Sequence, residues 1–104
     1  MIRVIIGYKI KKNADIQPIL NKLRAHAITY PGFIGAENLQ NVKDSSIVAM
    51  FQTWDRLEDW LAWEPSIIRK AILDEAKPIL HEDPRVTIFR VIPTRGWGYP
   101  SRES

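Results

Sequence analysis

The sequence predicts an α+β domain of ferredoxin-like order, β-α-β-β-α-β, with one antiparallel four-stranded sheet and both helices on one face. Three observations predict it. Four short runs rich in Val, Ile, Phe and Trp alternate with two stretches of helical periodicity. Pro31-Gly32 and Pro65 punctuate the chain where an element should stop or start. The length of 104 residues, 45% of them hydrophobic, suits one domain with a single modest core.

Ile2 to Ile10 reads as the first strand, with Gly7 inside it. A helix follows, capped by Asn13 or Asp15, and Pro18 falls in its first turn, where a missing N–H is harmless. Ile16, Ile19, Leu20, Leu23, Ala27 and Tyr30 form its apolar stripe. Phe33 to Gln40 is the second strand, Asn41 to Ser45 a polar turn, and Ser46 to Trp54 the third strand. Asp55 with Glu58 three residues on is a capping-box pattern, so a short helix starts there. Pro65 opens a further helical segment with Ile68, Ala71, Ile72, Ala76 and Ile79 on one side, and Pro78 should end it. Val86 to Ile92 is the fourth strand. Residues 1–93 are thus one domain and 94–104 a Gly- and Pro-punctuated tail carrying Trp97 and Tyr99, expected to fold over a pocket mouth or a partner subunit.

A sheet with one wet face should alternate apolar and polar residues. Here Val4-Ile5-Ile6, Ile47 through Phe51, and Ile88, Phe89, Val91 and Ile92 break that alternation. Both faces are apolar, and helices cover only one. The uncovered side chains represent on the order of 10 kcal/mol of unrealised burial, an upper estimate. A second copy of the chain, packed sheet to sheet about a two-fold axis, would cover them. A homodimer is therefore expected.

The chain has no cysteine, which excludes disulfides, thiolate catalysis and Cys-ligated metal sites. Arg3 interrupts the opening apolar run, so no signal peptide is expected, and no run is long enough to span a membrane. A cytoplasmic protein is the default. The net charge of +3 is mild, and the one cluster, Lys9-Ile10-Lys11-Lys12, reads as a solvated strand end rather than a nucleic-acid footprint.

Three of the four tryptophans lie between Trp54 and Ser66, joining a buried strand to a helix. That segment, with Tyr30-Pro31-Gly32-Phe33-Ile34-Gly35-Ala36-Glu37-Asn38-Leu39 and Phe51-Gln52-Thr53-Trp54-Asp55, resembles the antibiotic biosynthesis monooxygenase family. The resemblance covers about residues 1–92. It implies dimeric α/β-barrel proteins that bind small molecules between helices and sheet. Members oxidise aromatic polyketides without metal or flavin, degrade haem, oxidise quinols or handle small signalling molecules. The haem-degrading branch needs an axial histidine on the second long helix and an asparagine on the first strand. Trp60 matches that branch's tryptophan, but no histidine lies between Ala27 and Leu80, and the first strand offers Ile6 and Gly7. No cofactor and no metal are therefore expected.

The candidate site residues follow from their positions. Trp60 and Trp63, three apart and sharing a face with Leu57, could wall a small apolar or aromatic ligand, though core packing is the plainer role. Glu75 is expected on the apolar side with Ile68, Ile72 and Ile79, where a carboxylate with a raised pKa would serve as general acid or base. Arg69 could pair with it or anchor a phenolate oxygen. His26 flanks the first helix's stripe as a possible proton shuttle, and Tyr8 is a possible donor. Glu37 and Asn38 should face opposite ways, and His81-Glu82-Asp83 reads as a solvated turn rather than a metal site.

The leading expectation is a cofactor-independent oxygenase acting on an aromatic or quinone-like substrate. A non-catalytic ligand-binding module of the same fold is the alternative. An RNA-recognition domain shares the element order, yet the third strand, Ser46-Ile47-Val48-Ala49-Met50-Phe51-Gln52, lacks that domain's basic-Gly-aromatic signature.

Overall fold

The elements of the computed structural model, which describes residues 1–93, are β1 (Ile2–Lys9), α1 (Gln17–Ala27), β2 (Phe33–Gln40), β3 (Ile47–Trp54), α2 (Leu57–Trp63), α3 (Ile67–Ala76) and β4 (Arg85–Arg90). A 3₁₀ turn, Lys77–Ile79, follows α3 and contains Pro78, so the helix ends where proline forbids it to continue. The sheet is antiparallel with order β2-β3-β1-β4. Trp97 and Tyr99 lie outside the described residues.

Register assigns each side chain to a face. On β1, Ile2, Val4, Ile6 and Tyr8 point under the helices and are buried. Their β3 partners Trp54, Gln52, Met50 and Val48 are buried with them. From above, α1 contributes Ile19, Leu20, Leu23 and Ala27, the stripe its periodicity predicts.

The opposite face carries Arg3, Ile5 and Gly7 of β1 beside Thr53, Phe51 and Ala49 of β3, all only partly covered. Leu39 and Phe89 extend this apolar field to both edges at 45% and 52% exposure. The second apolar face is thus present. β4, an edge strand, is exposed throughout.

Two local predictions need correction. Helix α2 is capped one residue later than expected: the Arg56 N–H donates to the Asp59 carboxylate at 3.1 Å, so Asp59 fills the role assigned to Glu58. Asp59 also packs on the Pro31-Gly32 turn. Gly32 has φ +85°, and any Cβ there would collide with the Asp59 side chain. At α1 the residue before the helix, Ile16, has no side chain suited to capping, and Asp15 instead accepts from the Gln17 N–H at 3.0 Å.

Candidate functional site

Helices α2 and α3 meet at Pro65-Ser66, where the Ser66 hydroxyl caps α3 by accepting from the Arg69 N–H at 3.2 Å. That start sets the rotation of α3. Its buried side is Arg69, Ile72 and Ala76, with Leu73 partly covered, whereas Ile68 and Ala71 are exposed. The expected face is thus rotated, and the aliphatic stem of Arg69 takes a buried place on it.

Arg69 is 8% exposed and lies with Cζ 5.3 Å from the centroid of the Trp60 ring. One of its Nη atoms donates to the Glu64 carbonyl at 3.2 Å. Arg69 forms no ion pair among the described residues. Desolvation accordingly pulls the Arg69 pKa down, with Tyr8 and Glu64 opposing.

Tyr8, 1% exposed, rises from β1 beneath the same helix. Burial pushes its hydroxyl up to about 12 despite the positive charge of Arg69, so the phenol is neutral and able to donate. Its hydroxyl has no hydrogen-bond partner among the described residues, and neither has the Trp60 indole N–H. Two orphaned buried donors beside a half-satisfied guanidinium are costly, at about 1–3 kcal/mol each, and call for an explanation.

The neighbouring polar groups are satisfied. Trp54 Nε1 donates to Gln52 Oε1 at 2.9 Å, and Gln52 Nε2 donates to the Met50 sulfur at 3.0 Å. Trp54 in turn meets Trp60 edge-on at 6.2 Å. Gln52 was absent from the sequence candidates, although its parity with Met50 and Trp54 on β3 places it under the helices.

The other candidates stand elsewhere. Trp63 is fully buried and packs edge-on against Tyr30 at 5.1 Å, a core role. Glu75 does not project from the buried side. It is exposed and pairs with Lys22 of α1 at 2.7 Å, not with Arg69. His26 is exposed too. Neither can act as a buried acid or base where the structure places it. Glu37 and Asn38 face opposite ways, as expected: Asn38 reaches Gln17 of α1 at 3.4 Å, while Glu37 aligns with Phe51 on the open face. Glu82 is engaged by Arg85 and Lys9, and among the described residues no group of three metal-ligating side chains converges.

A cavity of about 720 Å³ opens between α3 and the connection to β4, with Leu73, Leu80 and Pro84 among its walls and a charged rim that includes Lys70, Asp74 and Glu82. Leu73 is one helical turn beyond Arg69, so the cavity adjoins the face that carries the guanidinium. Beside it, Val86 and Ile88 of β4 point to the helix side yet remain 37% and 40% exposed, an apolar strip that no helix covers.

No family model matches the sequence, and no curated protein matches it. Solved structures do. A protein described as an antibiotic biosynthesis monooxygenase superposes with TM-score 0.76 at 16% identity, covering 89% of this chain and 100% of its own. A variant of SnoaB, a cofactor-independent oxygenase from Streptomyces nogalater, gives 0.78 at 9% identity, covering 90% and 95%. This chain shares their fold. A conserved protein from Methanosarcina mazei Go1 matches as well, with TM-score 0.73 at 21% identity over 86% of this chain and 90% of its own. The antibiotic biosynthesis monooxygenase fold therefore holds across deep sequence divergence, and the sequence resemblance pointed to the right architecture. Among the described residues no helix is long and apolar enough to cross a membrane.

Proposed function

We propose that the protein is a cytoplasmic, homodimeric oxygenase that oxidises a small aromatic or quinone-like molecule with dioxygen and needs no bound cofactor. The observation that carries this reading is the buried Arg69 guanidinium, which lies over the Trp60 ring and within electrostatic reach of Tyr8, while the Tyr8 hydroxyl and the Trp60 indole N–H have no partner among the described residues. A substrate oxygen that reached either donor would accept a hydrogen bond there, and Arg69 would favour its ionised form. An electron-rich phenolate of this kind transfers electrons to dioxygen. At an activated CH₂ of the ring, a carbon–oxygen bond forms and the O–O bond breaks. One oxygen stays as a carbonyl, and the other leaves as water with the two hydrogens. No outside reductant is consumed. The chain's own residues orient the ring, exclude water and hold the charge.

Glu75 and His26 are outside this space, so proton removal falls to the substrate's own acidity under Arg69. The same fact favours a second reading, a ligand-binding module without turnover. Oxygen uptake measured over a panel of phenols that carry an activated ring CH₂, with quinols and polyphenols alongside, separates them: substrate-dependent consumption that Arg69→Met abolishes supports the oxygenase, and saturable binding with no oxygen consumed supports the binder. The dimer is supported by the apolar open face, and sedimentation at micromolar concentration is its test.

A further inference from the structure

We infer that the concavity at the opposite end of the sheet from Trp54 and Trp60 binds the phosphate or sulfate group of a small molecule. Three loops meet there: the β1–α1 connection, the β2–β3 turn and the approach to β4. Together they enclose about 590 Å³, lined by Lys11, Lys12, Asn13, Ser45, Ser46 and His81, among others. That volume exceeds a bare tetrahedral anion and falls in the range of ordinary ligand cavities, about 300–1,000 Å³.

Backbone bonds hold the walls. Ile10 N–H donates to the Ser46 carbonyl at 2.8 Å, Lys11 N–H to the Ile79 carbonyl at 2.8 Å, and His81 N–H to the Lys9 carbonyl at 2.9 Å. Asn13 adopts φ +64°, turning the chain directly after the two lysines.

The charge balance favours an anion. Lys11 and Lys12 make no ion pair among the described residues, whereas neighbouring Lys9 is matched by Glu82 at 3.5 Å. The Asp44 carboxylate, in the β2–β3 turn, is tied to that turn rather than to either lysine. One carboxylate oxygen accepts from both the Ser46 N–H (3.0 Å) and the Ser46 hydroxyl (2.6 Å), and these bonds hold its pKa below the usual range. Two ammonium groups without ion-pair partners, with the Ser45 hydroxyl and the His81 imidazole nearby, suit a compact dianion. Apart from the His81 imidazole, the lining has among the described residues no aromatic ring on which successive bases could stack, so a small phosphorylated or sulfated molecule fits better than a nucleic acid.

The test is a titration of the whole protein with inorganic pyrophosphate, followed by amide ¹H–¹⁵N spectra. Saturable shifts confined to Lys11–Ala14, Ser45, Ser46 and His81 are expected. The exposed double substitution Lys11→Glu, Lys12→Glu should weaken binding by at least about tenfold, a change of about 1.4 kcal/mol. The double substitution Arg24→Glu, Lys70→Glu, an equal charge change outside the concavity, should leave it unaltered. Parallel arms with phenyl phosphate and phenyl sulfate decide which ester is preferred. Shifts spread evenly over the protein's lysines, or affinity unchanged in the double variant, would overturn the inference. So would single-stranded RNA that binds through these residues with steep salt dependence and displaces pyrophosphate.

Discussion

The two faces of one sheet are built from the same strands and nearly the same residue types, yet they do different things. Beneath the helices, Val4, Ile6, Met50 and Trp54 are sealed, and the polar groups among them are either locked, like Gln52, or left facing nothing, like the Tyr8 hydroxyl. On the open side, Ile5, Phe51 and Phe89 are only partly covered around Arg3, one of whose guanidinium nitrogens is also buried without a partner. The difference lies in what is missing. The helix face lacks a few polar acceptors, a deficit that a small molecule can fill. The open face lacks a broad apolar cover, which suits a protein surface.

Changes on each face should therefore fail differently, and the sharpest contrast comes from the tryptophans. Trp60→Ala empties a fully buried position and should cost about 3–5 kcal/mol, read as a large drop in the denaturation midpoint. Gly32→Ala comes next. It forces a side chain into a left-handed turn already filled by Asp59 and should cost about 1–3 kcal/mol in the same assay. On the other face, Phe51→Glu should leave the monomer folded while weakening self-association by about 2 kcal/mol or more, visible in sedimentation. If Phe51→Glu instead unfolds the chain with no change in association before unfolding, the division of roles between the faces is wrong.

Tyr8→Phe should stabilise the fold slightly or leave it unchanged, within about 1 kcal/mol, because the lost hydroxyl bonds to nothing. It should also change the alkaline limb. The folded protein holds the Tyr8 proton to about 12 while the unfolded chain releases it near 10, so stability falls as pH rises between those values. In the phenylalanine variant that fall is smaller. The smallest effect belongs to Glu75→Gln, whose exposed pair with Lys22 should contribute no more than about 1 kcal/mol and whose loss should leave oxygen uptake intact.

Much of this was legible in the residues. Runs of β-branched and aromatic residues place every strand, the 3.6-residue period gives the stripe of α1, and Pro78 marks the end of α3. The doubled apolarity of the strands foretells the open face. The site was harder. The Ile68 and Ala71 positions suggested one side of α3, but the Ser66 cap and the packing of Arg69 on Trp60 turn the helix another way. Glu75 finds its partner on α1, 53 residues earlier, a pairing that local pattern cannot show. Gln52 follows from strand parity alone and was readable.

The central claim is that a ligand completes the helix-covered face. The indole ¹H–¹⁵N resonances, followed while a quinol is titrated in, address it most directly. The Trp60 indole should move as its free N–H gains an acceptor, while the Trp54 indole, already bonded to Gln52, should hold its place. A still Trp60 signal, with shifts confined to Ile5, Phe51 and Phe89, would contradict the account.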